Sequence, residues 1–156
     1  MKKWMSLIGC MSLMVVAATA MAQDFGDFSS QTLTGKAWEA YVKGDFDLTL
    51  KYTAKCKEMF MADAKKQQEE VKALEVKPTG EAVHEFWALN DVGTCLFIEG
   101  QVFEKQEKIK EAIAAYKIVA EELSLSQCWD EKGWFWSPAE AAAGRVKQLE
   151  FDALLD

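Results

Sequence analysis

The sequence predicts an all-α fold. Ala, Glu, Lys and Leu dominate residues 23–156, apolar residues recur at spacings of three and four, and no run of β-branched residues alternates with polar ones. The two prolines, Pro78 and Pro138, both lie at predicted breaks between helices. A segment of 134 residues is long enough to form one domain with a buried core.

The first 22 residues have the features of a removable signal peptide. Lys2-Lys3 precedes an apolar stretch over residues 7–18, and Ala20-Met21-Ala22 fits the small-x-small rule of signal peptidase. The apolar stretch is too short for a membrane anchor, because spanning the hydrocarbon takes roughly 20 apolar residues. We therefore expect cleavage after Ala22 and a periplasmic or secreted protein that begins at Gln23.

An alternative processing site lies inside this leader. Leu7-Ile8-Gly9-Cys10 resembles a lipobox, the four-residue mark of bacterial lipoproteins. A lipid on Cys10 would tether the protein to a membrane. Only six residues precede Leu7, which is too few for a charged and an apolar leader region, so cleavage after Ala22 is favoured over lipidation.

Five helices are expected after an irregular, polar lead-in at residues 23–31. They cover 32–43, 46–74, 81–106, 108–123 and 138–154 and together form one helical domain over 32–156. Gly44-Asp45 ends the first helix. Pro78-Thr79-Gly80 separates the second helix from the third, and Thr79 is positioned to cap the third.

The last helix follows a predicted loop at residues 124–136. Ser137-Pro138-Ala139-Glu140 is a helix-start signal, with Ser as the cap, Pro in the first turn and Glu reaching back. We expect this helix to act as a C-terminal cap on the helices before it.

Two segments of the chain resemble each other. Residues 37–56, AWEAYVKGDFDLTLKYTAKC, align with residues 100–119, GQVFEKQEKIKEAIAAYKIV. Small residues at the crossing points would let antiparallel helices approach to about 8–10 Å, and aromatic residues beside them would fill the remaining volume. The residues expected at these crossings are Ala37, Gly100, Phe103, Ala112 and Tyr116.

This pattern resembles the tetratricopeptide repeat (TPR) family, although Thr49 stands where that family usually has Ala and neither copy has the closing Pro. The resemblance implies TPR-like antiparallel helix hairpins that serve as an interaction scaffold. The two copies start 63 residues apart, whereas the family's period is about 34. We therefore expect a lengthened central hairpin that projects from the core, with residues 63–72 in a mostly solvated arm and Pro78-Thr79-Gly80 at its tip.

The charge of the chain argues against some partners. Without residues 1–22, 16 basic side chains face 25 acidic ones, so the net charge falls from −7 to −9. An acidic surface repels phosphate, which disfavours nucleic acid and anionic lipid as partners. No membrane span is expected.

Three cysteines remain after the predicted cleavage: Cys56, Cys95 and Cys128. An oxidising compartment would permit one disulfide. Counted from the Pro78 turn, Cys56 and Cys95 differ by about 9 Å along the helix axis, whereas a disulfide needs Cα atoms within about 7 Å. We therefore predict free thiols.

The sequence gives no sign of catalysis. Glu81-Ala82-Val83-His84 has the Glu-x-x-His spacing of helical di-iron proteins, but those need two such motifs and this chain has one His. We therefore expect a solvated or hydrogen-bonded His84 and no metal. No nucleophile motif and no cofactor motif is recognisable. We therefore expect a protein that is not an enzyme and binds no cofactor.

The Trp-rich segment at residues 128–136 is the most unusual stretch of the chain. It contains Trp129, Trp134, Phe135 and Trp136. These rings either complete the core beneath the last helix or form an exposed platform for a peptide or a sugar ring. In the second case they are the candidate partner-binding residues.

These observations favour an exported, non-enzymatic TPR-like scaffold that binds a protein or peptide in the periplasm or cell envelope. The alternative is a carbohydrate-binding accessory protein of the envelope that uses the Trp-rich segment. A third class is an exported glycan-active enzyme that uses Glu or Asp carboxylates.

We predict that the exported protein begins at Gln23. The apolar stretch and the Ala20-Met21-Ala22 motif carry this expectation. Intact mass and N-terminal sequencing of the protein from the envelope fraction would test it. A species that begins at a diacylated Cys10 would contradict it.

Overall fold

A computed structural model of the protein describes residues 23–130 and 132–155. The predicted signal peptide, its cleavage site at Ala22 and the lipobox-like Cys10 lie outside the described residues. Within them the chain is an all-α fold of packed helix hairpins, and its one sheet is a small β-hairpin. Such an arrangement is compatible with a helical repeat.

The described residues form α1 (Ser30–Val42), α2 (Phe46–Ala73), α3 (Trp87–Lys105), α4 (Ile109–Lys117) and α5 (Pro138–Asp152). A 3₁₀ segment, Gly80–Phe86, leads into α3, and a π turn, Ile118–Glu122, extends α4. Strands β1 (Cys128–Asp130) and β2 (Trp134–Trp136) pair antiparallel before α5. Among these described helices, none combines the length and the apolar character that crossing a membrane requires.

Side-chain caps begin α2 and α5 at the predicted places. The Asp45 carboxylate accepts a hydrogen bond from the backbone N–H of Leu48 at 3.1 Å. Ser137 Oγ accepts one from the N–H of Glu140 at 3.1 Å, and Pro138 stands in the first turn, which confirms these two parts of the predicted start signal. Each bond satisfies an N–H group that the first helical turn leaves unpaired. The predicted return bond from the Glu140 side chain is not among the described hydrogen bonds. Gly44 precedes α2 with φ at +76°, a conformation that favours glycine.

The third helix begins later than predicted. It was expected from Glu81, but α3 starts at Trp87 and residues 80–86 form the 3₁₀ segment. The side-chain amide of Asn90 donates to the backbone carbonyl of Val83 at 2.9 Å and so binds a group that an α-helix would use internally. Thr79 makes no capping hydrogen bond, contrary to expectation.

The segment expected to be a loop at residues 124–136 contains the β-hairpin. Cys128 pairs with Trp136, Trp129 with Phe135 and Asp130 with Trp134. Strands of three residues are too short to reveal an alternating pattern in the sequence. Gly133 supplies the turn with φ at +97°.

Helix α3 lies at the centre of the fold and packs against all four other helices. Its buried residues face several directions, from Ala88 to Val102. Gly100 lies directly against the ring of Tyr116, so that an added Cβ would be 2.6 Å from Tyr116 Cδ1. Gly93 is equally close to Ser126, where an added Cβ would be 2.6 Å from the side chain. The two glycines therefore permit the close packing around α3.

A single carboxylate joins the last three helices. The hydroxyl of Tyr116 on α4 donates to Glu104 Oε1 on α3 at 2.5 Å, and Arg145 on α5 forms a two-point ion pair with Glu104. Burial alone would raise the pKa of Glu104, but the hydrogen bonds from Arg145 and Tyr116 outweigh it and lower that pKa.

The central hairpin is long but does not project as a solvated arm. Helix α2 has 28 residues, yet Ala64, Gln68 and Val71 in its C-terminal half are buried. Gln68 donates to Ser124 Oγ at 3.2 Å and accepts from the backbone N–H of Leu125 at 3.0 Å. The segment after α4 covers this part of α2. The predicted arm was derived from helix lengths alone, which carry no information about that tertiary contact. The expectation that residues 63–72 stand away from the core is therefore wrong.

Two cysteine side chains, one on α2 and one on α3, lie against each other in the core. Cys56, Cys95 and Cys128 are free thiols, and the first two are fully buried. Burial, together with contact to the Cys56 thiol, raises the pKa of Cys95. The 3₁₀ segment rises about 2 Å per residue rather than 1.5 Å, which shortens the offset expected for two equal helices.

Replacing Gly100 with Ala should destabilise the protein. The new methyl group would collide with the buried ring of Tyr116, and overpacking of this kind costs about 1–3 kcal/mol. Gly144 of α5 is the matched control, because it is exposed and an added Cβ meets nothing within 4 Å.

The measurement is urea unfolding of the two variants beside the unchanged protein. Gly144→Ala should leave the free energy of unfolding unchanged or raise it by up to about 1 kcal/mol, because Ala favours helix. Equal effects of the two substitutions would contradict the proposed close contact at Gly100.

Candidate functional site

A cleft of about 950 Å³ opens between α1, the 3₁₀ segment, the first turns of α3 and the β-hairpin. Pockets for small ligands typically measure roughly 300–1,000 Å³. We call this cleft the aromatic cleft, because six ring side chains line it: Trp38, Phe60, His84, Trp87, Trp129 and Phe135. Its polar lining includes Ser30, Thr34, Glu81, Asn90 and Asp91.

The rings of the aromatic cleft meet at steep angles. Phe60 and Trp87 are 5.5 Å apart between centroids with their planes at 85°. Trp129 and Phe135, opposite each other on the β-hairpin, are 4.9 Å apart at 66°. Trp87 is 44% exposed and Trp129 is 54% exposed. The walls therefore leave large apolar surfaces uncovered in the free protein, as binding surfaces do.

One carboxylate lies on the α3 side of the aromatic cleft. Asp91 is half-buried and accepts a hydrogen bond from Ser30 Oγ of α1. The hydroxyl of Thr34 donates to the backbone carbonyl of Asp91 at 3.4 Å. Burial raises the pKa of Asp91 above its ordinary value, although the bond from Ser30 opposes this. In the described part of the chain no Lys or Arg lines the cleft.

Side-chain amides fix two walls of the aromatic cleft to α3. Asn90 Oδ1 accepts from the backbone N–H of Gln127 at 2.8 Å, while its Nδ2 donates to Val83 in the 3₁₀ segment. Gln127 Nε2 donates to the carbonyl of Pro78 at 3.1 Å. These bonds hold the base of the β-hairpin and the turn before the 3₁₀ segment, so the cleft is formed before any ligand binds.

The β-hairpin distributes the four candidate partner-binding residues over two faces. Trp129 and Phe135 line the aromatic cleft. Trp134 lies outside it, 49% exposed, with the ammonium of Lys132 5.8 Å from its ring centroid. Trp136 packs against Phe97 of the core at 5.2 Å. Successive residues of a strand point to opposite faces, so these rings do not form one platform.

The residues expected at helix crossings lie in the packing rather than in the cleft. Ala37, Gly100, Ala112 and Tyr116 are buried, and Phe103 is half-buried.

His84 is exposed on the 3₁₀ segment, and its ring packs against that of Phe135 with 5.6 Å between the ring centroids. Residues 23–130 and 132–155 contain no group of three or more His, Cys, Asp or Glu side chains that could hold a metal.

Sequence reasoning missed four contributors on which the argument for the aromatic cleft depends: Trp38, Phe60, Trp87 and Asp91. The first two come from α1 and α2, and nothing local in the sequence connects them with the Trp-rich segment. Asp91 did carry a signal, because it is the one charged residue between Glu85 and Glu99 in an otherwise apolar helix. Carboxylates are seldom buried without a structural or functional partner, so a lone Asp in such a helix is a candidate ligand contact.

Comparison of this chain with models of known protein families, with curated proteins and with solved structures finds no match. The chemistry of the aromatic cleft therefore has to be argued from its own residues.

Replacing Asp91 with Asn should stabilise the free protein at neutral pH. Burial disfavours the charged form, so the folded-state pKa lies above the ordinary 3.8 of an aspartate. The contribution of Asp91 to the free energy of unfolding is therefore greatest below about pH 3.8 and falls as the pH rises through the folded-state pKa. The amide can still accept the bond from Ser30 without this charge penalty.

Urea unfolding from acid to neutral pH would test this expectation. The Asp91→Asn protein should gain stability relative to the unchanged protein as pH rises. Parallel pH profiles, or a less stable variant at neutral pH, would contradict the assignment of an unfavourably buried charge.

Proposed function

We propose that the protein is a non-enzymatic binding protein whose aromatic cleft holds an extended segment of a peptide or partner protein. The observation that carries the proposal is the exposure of Trp87 and Trp129 in a cleft whose walls are already fixed. A preformed site with exposed aromatic anchors binds without first ordering its own side chains, which favours affinity.

The arrangement of the helices supports a scaffold role. The repeat-like segments 37–56 and 100–119 begin on α1 and α3, and the aromatic cleft lies where these two helices pack together. TPR-like scaffolds bind extended ligands on the concave surfaces that their stacked hairpins create. We infer a TPR-like scaffold. Its export to the periplasm or cell envelope is inferred from the N-terminal signal features.

The angled walls of the aromatic cleft suit peptide side chains better than they suit a sugar ring, which stacks on a flat aromatic platform. The carbohydrate-binding alternative relied on Trp129, Trp134 and Trp136 acting together. Trp134 lies outside the aromatic cleft and Trp136 contacts Phe97, so those three rings share no surface. A peptide can instead place separate side chains between rings that stand edge to face.

A glycan-active enzyme is the second candidate, because Glu81 and Asp91 both line the aromatic cleft. Glycoside hydrolysis requires two carboxyl groups on either side of the scissile bond. We rank it below peptide binding because the Glu81 side chain is exposed on the 3₁₀ segment and makes no hydrogen bond that orients it among the described contacts. Turnover of a polysaccharide would move it to first place.

Peptides selected from a random library on the full chain should lose affinity when Trp129 is replaced with Ala. Loss of an aromatic anchor should weaken binding by about tenfold or more. Trp134→Ala is the matched control, since Trp134 is a similarly exposed Trp on the same β-hairpin but outside the cleft. Titration calorimetry of both variants gives the comparison.

Equal losses in the two variants would contradict the assignment of the cleft as the binding site. Failure to select any peptide whose binding depends on Trp129 would overturn the proposed function. Binding of glycans in a parallel array would then support the carbohydrate alternative.

A further inference from the structure

We propose that the segment bound in the aromatic cleft carries a lysine or arginine side chain whose cation pairs with Asp91. This inference rests on the proposed function, because it names the chemistry of the peptide that the cleft accepts.

The first argument is the charge of the cleft. Its lining includes the carboxylates of Asp91 and Glu81 and no Lys or Arg, so far as the described residues go. The ion pairs formed among the described residues leave both carboxylates out. A half-buried carboxylate without a cation has lost hydration and gained no opposite charge in return. A cation from the ligand would supply that charge.

The second argument is the chemistry of the rings. A Lys or Arg cation is attracted to the face of Trp more strongly than to other rings. Trp38, Trp87 and Trp129 line the cleft, and the cation–π contacts seen elsewhere in the described chain involve other rings. The aliphatic stem of a Lys or Arg side chain would also cover apolar ring surface while its charged end reaches Asp91.

Other ligand chemistries fit this combination less well. An anionic group would be repelled by Asp91 and Glu81. A wholly apolar side chain would seal Asp91 from water without offering it a hydrogen bond, which is costly for a charged group. A neutral polar group could hydrogen-bond to Asp91 but would leave its charge uncompensated.

The test is a double-mutant cycle on a peptide whose binding depends on Trp129. The basic residue of the peptide is replaced with norleucine, which keeps the stem and removes the charge, and Asp91 of the full chain is replaced with Asn. Calorimetry measures all combinations of the two changes. Peptides with Lys, Arg, norleucine or Glu at that position give the order of preference.

In the unchanged protein, norleucine should weaken binding by about tenfold or more, as expected for loss of a charge-assisted hydrogen bond. In Asp91→Asn, the Lys and norleucine peptides should differ by less than about threefold. Glu85→Gln is the control for loss of a nearby carboxylate, because Glu85 is exposed on the 3₁₀ segment just before α3 but does not line the cleft. That variant should keep the full preference for the basic peptide. Thermal melts confirm that each variant is folded.

Two results would overturn this inference and leave the proposed function intact. One is a set of Trp129-dependent peptides without basic residues, and the other is a cost of norleucine that is the same with and without Asp91. If no peptide binds in a Trp129-dependent way, the proposed function fails, and this inference fails with it.

Discussion

The packing of helix α3 is the constraint on which the rest of the structure depends. Four other helices contact it, so its surface must be apolar or small over most of its length. Gly93 and Gly100 admit their neighbours at distances that a Cβ would not allow. Asp91 is the charged residue in the first turns of this helix, and it lies on the side that opens into the aromatic cleft. The enclosure of α3 thus determines where the protein can present a polar group within an apolar surface.

Side-chain amides complete the backbone hydrogen bonding where the helices end. Gln67 accepts from the N–H of Leu89 at the start of α3, and Gln68 joins α2 to the segment after α4. Asn90 and Gln127 do the same for the 3₁₀ segment and the base of the β-hairpin. An amide carries both donors and an acceptor without charge, so it can satisfy buried backbone groups without the desolvation cost of an ion. These residues give irregular segments fixed positions.

Local sequence signals predicted most helices but only part of the cleft. Helices α1, α2 and α5 could be predicted because their caps, breaks and periodicity act within a few residues. The late start of α3 depends on Asn90, whose role appears only when the 3₁₀ segment and the β-hairpin are in place. Likewise Trp129 and Phe135 could be chosen from composition, whereas Trp38, Phe60 and Asp91 join them through tertiary packing. The short strands carried too few residues for a periodic signal.

The β-hairpin has a consequence for the lifetime of any complex in the cleft. Two strands with three residue pairs are marginally stable by themselves, so this wall depends on Trp136 against Phe97 and on the bond from Gln127 to Asn90. It should therefore open at a lower free energy than the helices that face it. For a complex whose release requires this wall to open, the residence time would follow the rate at which the hairpin opens. Changes at Trp136 would then alter dissociation without touching a single ligand contact.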